Sequence, residues 1–345
     1  MLDPALDTLL LPFADGTLAW PEAGQILFLR ARAGAALMAA PRERLLCRQS
    51  YLPFAQALSI AKLRVDHGAE IPAGPFPLTL LLPPRQRDEA RGLLAEAIAH
   101  TAPGGLVVAA LPNNEGARSV EEDLAGLAGT VESRSKNKCR VFWARIDPAH
   151  IDRPRLLEWR ALTEPRRIAD SRFLSRPGLF AWDRIDAGSA LLAQHLPADL
   201  AGHGADLGAG YGYLAAEILA RCAKVSALDL YEAEREALRL AERNLQPLAQ
   251  GRPLEFFWHD VATGLRRDYD FIVTNPPFHV LRAERTDLGQ AFISTAAKHL
   301  KPGGRFLLVA NQHLPYERGL RELFAAHRVL ASADGYKVIE AVKAS

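Results

Sequence analysis

The chain has 345 residues, enough for about two domains, and its 49% hydrophobic and 24% charged content is that of an ordinary globular protein. A net charge of +2 is too small to announce a nucleic-acid binder by itself. Cys47, Cys139 and Cys222 form no C-x-x-C pair and are widely separated, so neither zinc nor a disulfide framework is indicated, and a reduced, cytoplasmic setting fits best. The opening residues carry acids and lack a basic stretch, so no secretory signal is expected, and no apolar run approaches the ~18 residues of a membrane span.

In chain order, Ile26-Leu27-Phe28-Leu29 runs into Arg30-Ala31-Arg32-Ala33-Gly34, a segment with one glycine and no acid. Pro77-Leu78-Thr79-Leu80-Leu81-Leu82-Pro83-Pro84 is an apolar run stopped by a proline pair, which predicts a buried strand ending in a rigid turn. A helix is expected over 87–100, after which Pro103-Gly104-Gly105 launches a second buried strand. Arg134, Lys136, Lys138 and Arg140 form a basic run beside Phe142 and Trp143, able to contact phosphates and a base, although a solvated loop reads equally well. Residues 147–176 hold Pro148, Pro154 and Pro165 among many arginines, which suits an interdomain connection. The expected division is a domain over 1–150, a linker over 151–172 and a domain over 173–345.

The second half repeats this order. Phe271-Ile272-Val273-Thr274 runs into Asn275-Pro276-Pro277-Phe278, a helix is expected over 288–300, and Pro302-Gly303-Gly304 launches a strand over 305–310. The ordered series argues for duplication, with Leu82 standing where the second copy has Asn275. Upstream, strands over 205–207, 224–229, 254–259 and 269–274 alternate with helices over 213–221 and 232–244, which predicts a parallel sheet flanked by helices. A helix over 316–326 and two strands, 328–332 and 336–341, turning at Ala333-Asp334-Gly335, complete the chain.

Four polar side chains fall at successive strand ends, the edge where open α/β sheets bind ligands. Asp206 precedes the loop Gly208-Ala209-Gly210-Tyr211-Gly212, where it can face the amine of an amino-acid moiety. Asp229 closes the next strand, where a carboxylate can accept bonds from both ribose hydroxyls. Asp260 closes the third, placed for an adenine amino group, and Asn275 follows the fourth. Each alone also reads as a helix cap or turn residue, and a glycine-rich turn alone also suits NAD or FAD. Together they describe a cofactor site. Tyr211, in a loop where small residues are usual, either perturbs the fit or faces outward.

On these residues the half from about Phe173 onward resembles a class I S-adenosylmethionine-dependent methyltransferase. Asn275-Pro276-Pro277-Phe278-His279, Val309-Ala310-Asn311-Gln312-His313-Leu314-Pro315-Tyr316, Arg176-Pro177-Gly178-Leu179-Phe180 and Asp186-Ala187-Gly188-Ser189 look like the ribosomal RNA guanine-N2 methyltransferases. Total length and the degenerate first half resemble the ribosomal RNA small subunit methyltransferase C family, with the large-subunit methyltransferase G family as nearest competitor. The resemblance implies an α/β protein of two tandem Rossmann-like methyltransferase domains, the N-terminal one degenerate. The C-terminal one is then a seven-stranded, mostly parallel sheet with a terminal antiparallel strand. It further implies S-adenosyl-L-methionine held by Asp206, Gly208, Gly210, Gly212, Asp229, Asp260 and Asn275, no metal, a monomer, and 16S rRNA or the 30S subunit as substrate.

The chemistry explains the motif. An exocyclic amine on a planar ring is a poor nucleophile, because its lone pair is delocalised. Asn275 and a carbonyl of the Pro276-Pro277 turn can each accept one N–H, and Phe278 can stack on the ring. His279 reads as a proton acceptor or a turn residue, and His313 as structural or RNA-facing. Adenine-N6 and protein-glutamine methyltransferases share Asn-Pro-Pro with an aromatic and stay open as alternatives, as do a 23S rRNA enzyme and a non-enzymatic RNA-binding assembly factor. The first half lacks this chemistry, since Leu82 accepts nothing and Arg30 and Arg32 would repel a sulfonium. It is expected to be non-catalytic, binding RNA or steadying its partner.

Overall fold

The structure is a computed structural model that describes residues 3–277 and 285–345, with side chains in the second segment from 288 onward. Phe278 and His279 therefore lie outside the described residues. The chain divides into two compact units, one of residues 1–165 with 176–178 and the other of 166–175 with 179–345.

The first unit runs α1 (Pro4–Ala14), β1 (Ile26–Leu29), β2 (Leu45–Arg48), α2 (Leu52–Ile60), β3 (Arg64–Asp66), β4 (Phe76–Leu81), α3 (Arg87–His100), β5 (Thr101–Pro112), α4 (Ala117–Ala128), β6 (Glu132–Lys136), β7 (Cys139–Arg145) and α5 (Arg153–Arg160). Its seven strands lie in the order β3-β2-β1-β4-β5-β7-β6, with β7 antiparallel to both neighbours. The inner strands β1, β4, β5 and β7 are largely apolar and buried, as a sheet covered by helices on each side requires, whereas the edge strands β3 (Arg-Val-Asp) and β6 (Glu-Ser-Arg-Ser-Lys) are polar. The second unit contains β8 (Arg166–Ile168), β9 (Phe173–Ser175), α6 (Ala187–Gln194), β10 (Ala201–Leu207), α7 (Tyr213–Arg221), β11 (Lys224–Glu232), α8 (Arg235–Leu245), β12 (Leu254–Trp258), β13 (Tyr269–Thr274), α9 (Arg285–His299), β14 (Leu300–Asn311), α10 (Glu317–Leu323), β15 (Ala326–Ala333) and β16 (Tyr336–Val342). Its main sheet has the same order, β12-β11-β10-β13-β14-β16-β15, and again the strand beside the long one, β16, runs antiparallel. The duplicated α/β plan is as expected. Gly104 and Gly303 occupy the same bend at the start of β5 and β14, with φ of 77° and 72°.

Two expectations give way, one about the connection between the halves and one about the rings beside the basic run. The stretch 151–172 is not a bare linker. Asp152 caps α5 by accepting the Arg155 N–H at 3.1 Å, Trp159 is buried in the first unit, and β8 and β9 pair antiparallel within the second. Phe142 and Trp143 cannot stack on a base, because β7 is an inner strand and both rings are buried in the core. Arg134 and Arg140 have protein partners: Arg134 donates to Asp15 Oδ2 at 2.5 Å, and Arg140 to Glu121 Oε1 and Ser133 Oγ at 3.0 and 2.9 Å. Lys136 and Lys138 stay exposed where β6 turns into β7 through left-handed Asn137 and Lys138.

Candidate active site

Parallel pairing puts the ends of β10, β11 and β13 side by side, since Leu207 lies opposite Tyr231 and Thr274. The chain leaves β10 through Gly208, Gly210 and Gly212, all left-handed, with φ of 71°, 55° and 93°. This conformation suits glycine. The Gly208 and Ala209 N–H groups donate to the Tyr231 carbonyl at 2.8 and 3.1 Å, which pins the loop to the end of β11. A Cβ on Gly210 would meet open space. Thr274 Oγ1 donates to the Leu207 carbonyl at 2.7 Å and ties the loop to β13.

Asn275 is the best-defined polar group here. Its Nδ2 donates to Asp186 Oδ2 at 2.9 Å and to Ser189 Oγ at 2.8 Å. Asp186 is the N-cap of α6, and the same Oδ2 accepts the Ser189 N–H at 2.8 Å. Asn275, Gly208, Gly210, Tyr211, Asp186 and Ser189 line one cavity, with the 60%-exposed ring of Phe180 at its wall. Of the residues expected from sequence, it gathers Gly208, Gly210 and Asn275; Gly212, Asp206, Asp229 and Asp260 do not line it.

Asp206 is fully buried, and neither carboxylate oxygen has a hydrogen-bond partner. Burial pushes its pKa up to about 7; the backbone N–H of Ala215 opposes that rise and the charge of Glu232 adds to it. Asp229 does not close its strand. β11 continues to Glu232, and the Asp229 carboxylate is already engaged by His203 Nε2 at 2.8 Å and by the Tyr269 hydroxyl at 2.7 Å. The acid at the strand end is Glu232, whose Oε2 accepts the Gly210 N–H and whose Oε1 accepts the Glu234 N–H, each at 2.8 Å. Burial raises its pKa while the surrounding amides oppose the rise. The sequence signal was the helix: the buried set Ala237, Leu238, Leu240, Ala241 and Leu245 places the start of α8 at Arg235, leaving Glu232 rather than Asp229 at the junction. Asp260 caps a single turn by accepting the Ala262 N–H at 3.0 Å. Tyr211 does not face outward; it is buried against Phe173, and its hydroxyl donates to the Arg184 carbonyl at 3.0 Å.

The family model described as Methyltransferase small domain matches residues 170–340. The sheet order, the glycine loop and the Asn-Pro-Pro turn are those of a methyltransferase. Ribosomal RNA small subunit methyltransferase C of Citrobacter koseri is 30% identical over 259 residues, covering 75% of this chain and 73% of that protein. The same-named protein of Salmonella paratyphi A is 31% identical over 261 residues, with the same coverage. Among solved structures, the T. thermophilus 16S rRNA N2 G1207 methyltransferase in complex with AdoMet and guanosine superposes with a TM-score of 0.80. That match has 26% identity and covers 99% of this chain and 92% of that one. The chain belongs to the ribosomal RNA small subunit methyltransferase C family.

Proposed function

We propose that the second unit transfers a methyl group from S-adenosyl-L-methionine to the exocyclic N2 amine of a guanine in 16S rRNA. The oriented amide carries this reading. Asn275 uses its N–H groups on Asp186 and Ser189, so Oδ1 is left as the acceptor beside the glycine loop. Taking one amine hydrogen on Oδ1 and the other on a carbonyl of the proline turn localises the nitrogen lone pair, which is positioning and electrostatic preorganisation. The prolines bring no N–H to compete. Phe278 serves as the stacking ring and His279 as a substrate-side residue.

The residues present fit the cofactor. The open space at Gly210 admits a ligand against the backbone, and the unpartnered Asp206 carboxylate suits an ammonium group. Glu232, at the end of β11, takes the ribose-hydroxyl role expected of Asp229, and Asp260 serves the adenine amine. When bound, the cofactor supplies an electrophilic methyl on a sulfonium. The names of the relatives and the guanosine of the T. thermophilus complex favour guanine in 16S rRNA over 23S rRNA, adenine or protein glutamine. A net charge of +2, with Lys136 and Lys138 as exposed contacts, suits a target presented on the 30S subunit. The first unit is read as a non-catalytic scaffold or RNA-binding partner, and three buried free cysteines accord with a reducing cytoplasm.

The test is incubation with methyl-labelled cofactor and, separately, 30S subunits, 50S subunits, naked 16S rRNA and protein, followed by nucleoside analysis. N2-methylguanosine from 30S subunits or 16S rRNA is expected. Label confined to 50S subunits, to adenine or to protein glutamine contradicts the assignment.

A further inference from the structure

We propose that Asp186 is a positioning residue for methyl transfer: together with Ser189 it locks the Asn275 amide so that the oxygen, and not the amino group, faces the acceptor amine. The inference rests on the amine-holding role proposed above for Asn275. A carboxylate oxygen only accepts, so the 2.9 Å contact between Asn275 Nδ2 and Asp186 Oδ2 decides which end of the amide points where. Ser189 Oγ takes the other contact at 2.8 Å. The terminal torsion of asparagine is broad and roughly two-fold, so an unheld amide turns over at little cost. Turned over, it presents N–H groups to an amine that needs an acceptor.

The lock is itself held. Asp186 caps α6, and its Oδ2 accepts the Ser189 N–H at 2.8 Å, so one capped turn fixes both groups that grip the amide. The arrangement converts the start of a helix into the orientation of a side chain on a strand end far along the sequence.

Two substitutions separate this role from simple capping. Asn and Ser are both good N-caps, so Asp186→Asn and Asp186→Ser each preserve α6. Asn also keeps an oxygen at the reach of Oδ2, whereas the Ser hydroxyl stops one atom short of Asn275. Misplacement by about 1 Å costs on the order of 10²-fold in rate. The kcat of Asp186→Ser is therefore expected to lie at least about tenfold below that of Asp186→Asn, with the cofactor Kd of the two variants alike. Ser189→Ala, which removes one of the two grips, is expected between them. Equal kcat for Asp186→Asn and Asp186→Ser overturns the proposal, as does a loss that appears only as weaker cofactor binding. Failure of the rRNA assignment would show in the wild-type protein, and the ratio between variants is then read on whichever amine the wild type labels.

Discussion

The two units share one strand order and diverge at aligned strand ends. Leu29 lies opposite Leu81 and Arg48 as Leu207 lies opposite Thr274 and Tyr231, so Arg30 aligns with Gly208, Gln49 with Glu232, Leu82 with Asn275 and Phe28 with Asp206. The backbone template persists. Arg30 keeps a left-handed φ of 52° against 71° at Gly208, and Gln49 Oε1 accepts the Tyr51 N–H at 2.9 Å as Glu232 accepts that of Glu234. What differs is the side chain at each of these four positions. Gln49 donates to the Ala31 carbonyl at 2.7 Å, Arg30 is paired with Glu89 at 2.6 Å, and Arg32 with Asp3 at 3.1 Å. Phe28 is fully buried, worth about 2–3 kcal/mol of burial, where Asp206 instead buries an unpartnered carboxylate, a destabilising choice. The first unit shows this sheet with these strand-end positions satisfied internally; the second retains the unpartnered Asp206 carboxylate, as a site for a cationic ligand group would.

Importing the first unit's residues into the second tests that contrast. Asn275→Leu, copying Leu82, is expected to lower kcat by about 10²–10³-fold while the cofactor Kd moves little. Methyl incorporation read beside calorimetric titration checks it, and near-normal turnover would break the amine-holding role. Gly208→Arg, copying Arg30, sets a cation against a sulfonium. Like charges ~4 Å apart near a surface repel by on the order of 4 kcal/mol, so the cofactor Kd is expected to rise at least about 10²-fold. Glu232→Gln, copying Gln49, replaces a charged acceptor with a neutral amide, and a Kd rise of about tenfold is expected from losing one charge-assisted bond.

A further prediction concerns pH. With a folded pKa of about 7 against ~3.9 in the unfolded chain, Asp206 binds more protons folded than unfolded between those values. Stability without cofactor therefore falls as pH rises from about 4 to about 7 and stays reduced above it. Asp206→Asn removes that fall. Calorimetry at pH 5 and 8 should show a larger loss of unfolding temperature in wild type than in the variant, and equal losses would remove Asp206 ionisation from the account.

The repeat was legible because proline pairs and Gly-Gly turns punctuate both halves alike, and the register aligns Leu82 with Asn275 as the motifs do. Asp229 misled because an acid near a strand end looks the same whether the strand stops or continues to Glu232. Its engagement by His203 and Tyr269 is a contact between strands that no local pattern reveals. Phe142 and Trp143 looked available beside the basic run; only the strand order shows that β7 is an inner strand. The grip of Asp186 and Ser189 on Asn275 was hidden for the same reason, since α6 and the end of β13 meet only in the folded sheet.

We propose that one unit of the two that share a plan holds the cofactor, and counting sites tests this most directly. Equilibrium dialysis of the full chain with labelled S-adenosyl-L-methionine should give one site per chain, lost in Gly208→Arg and still one in Arg30→Gly. Two sites per chain, or a site that survives Gly208→Arg, would contradict the division.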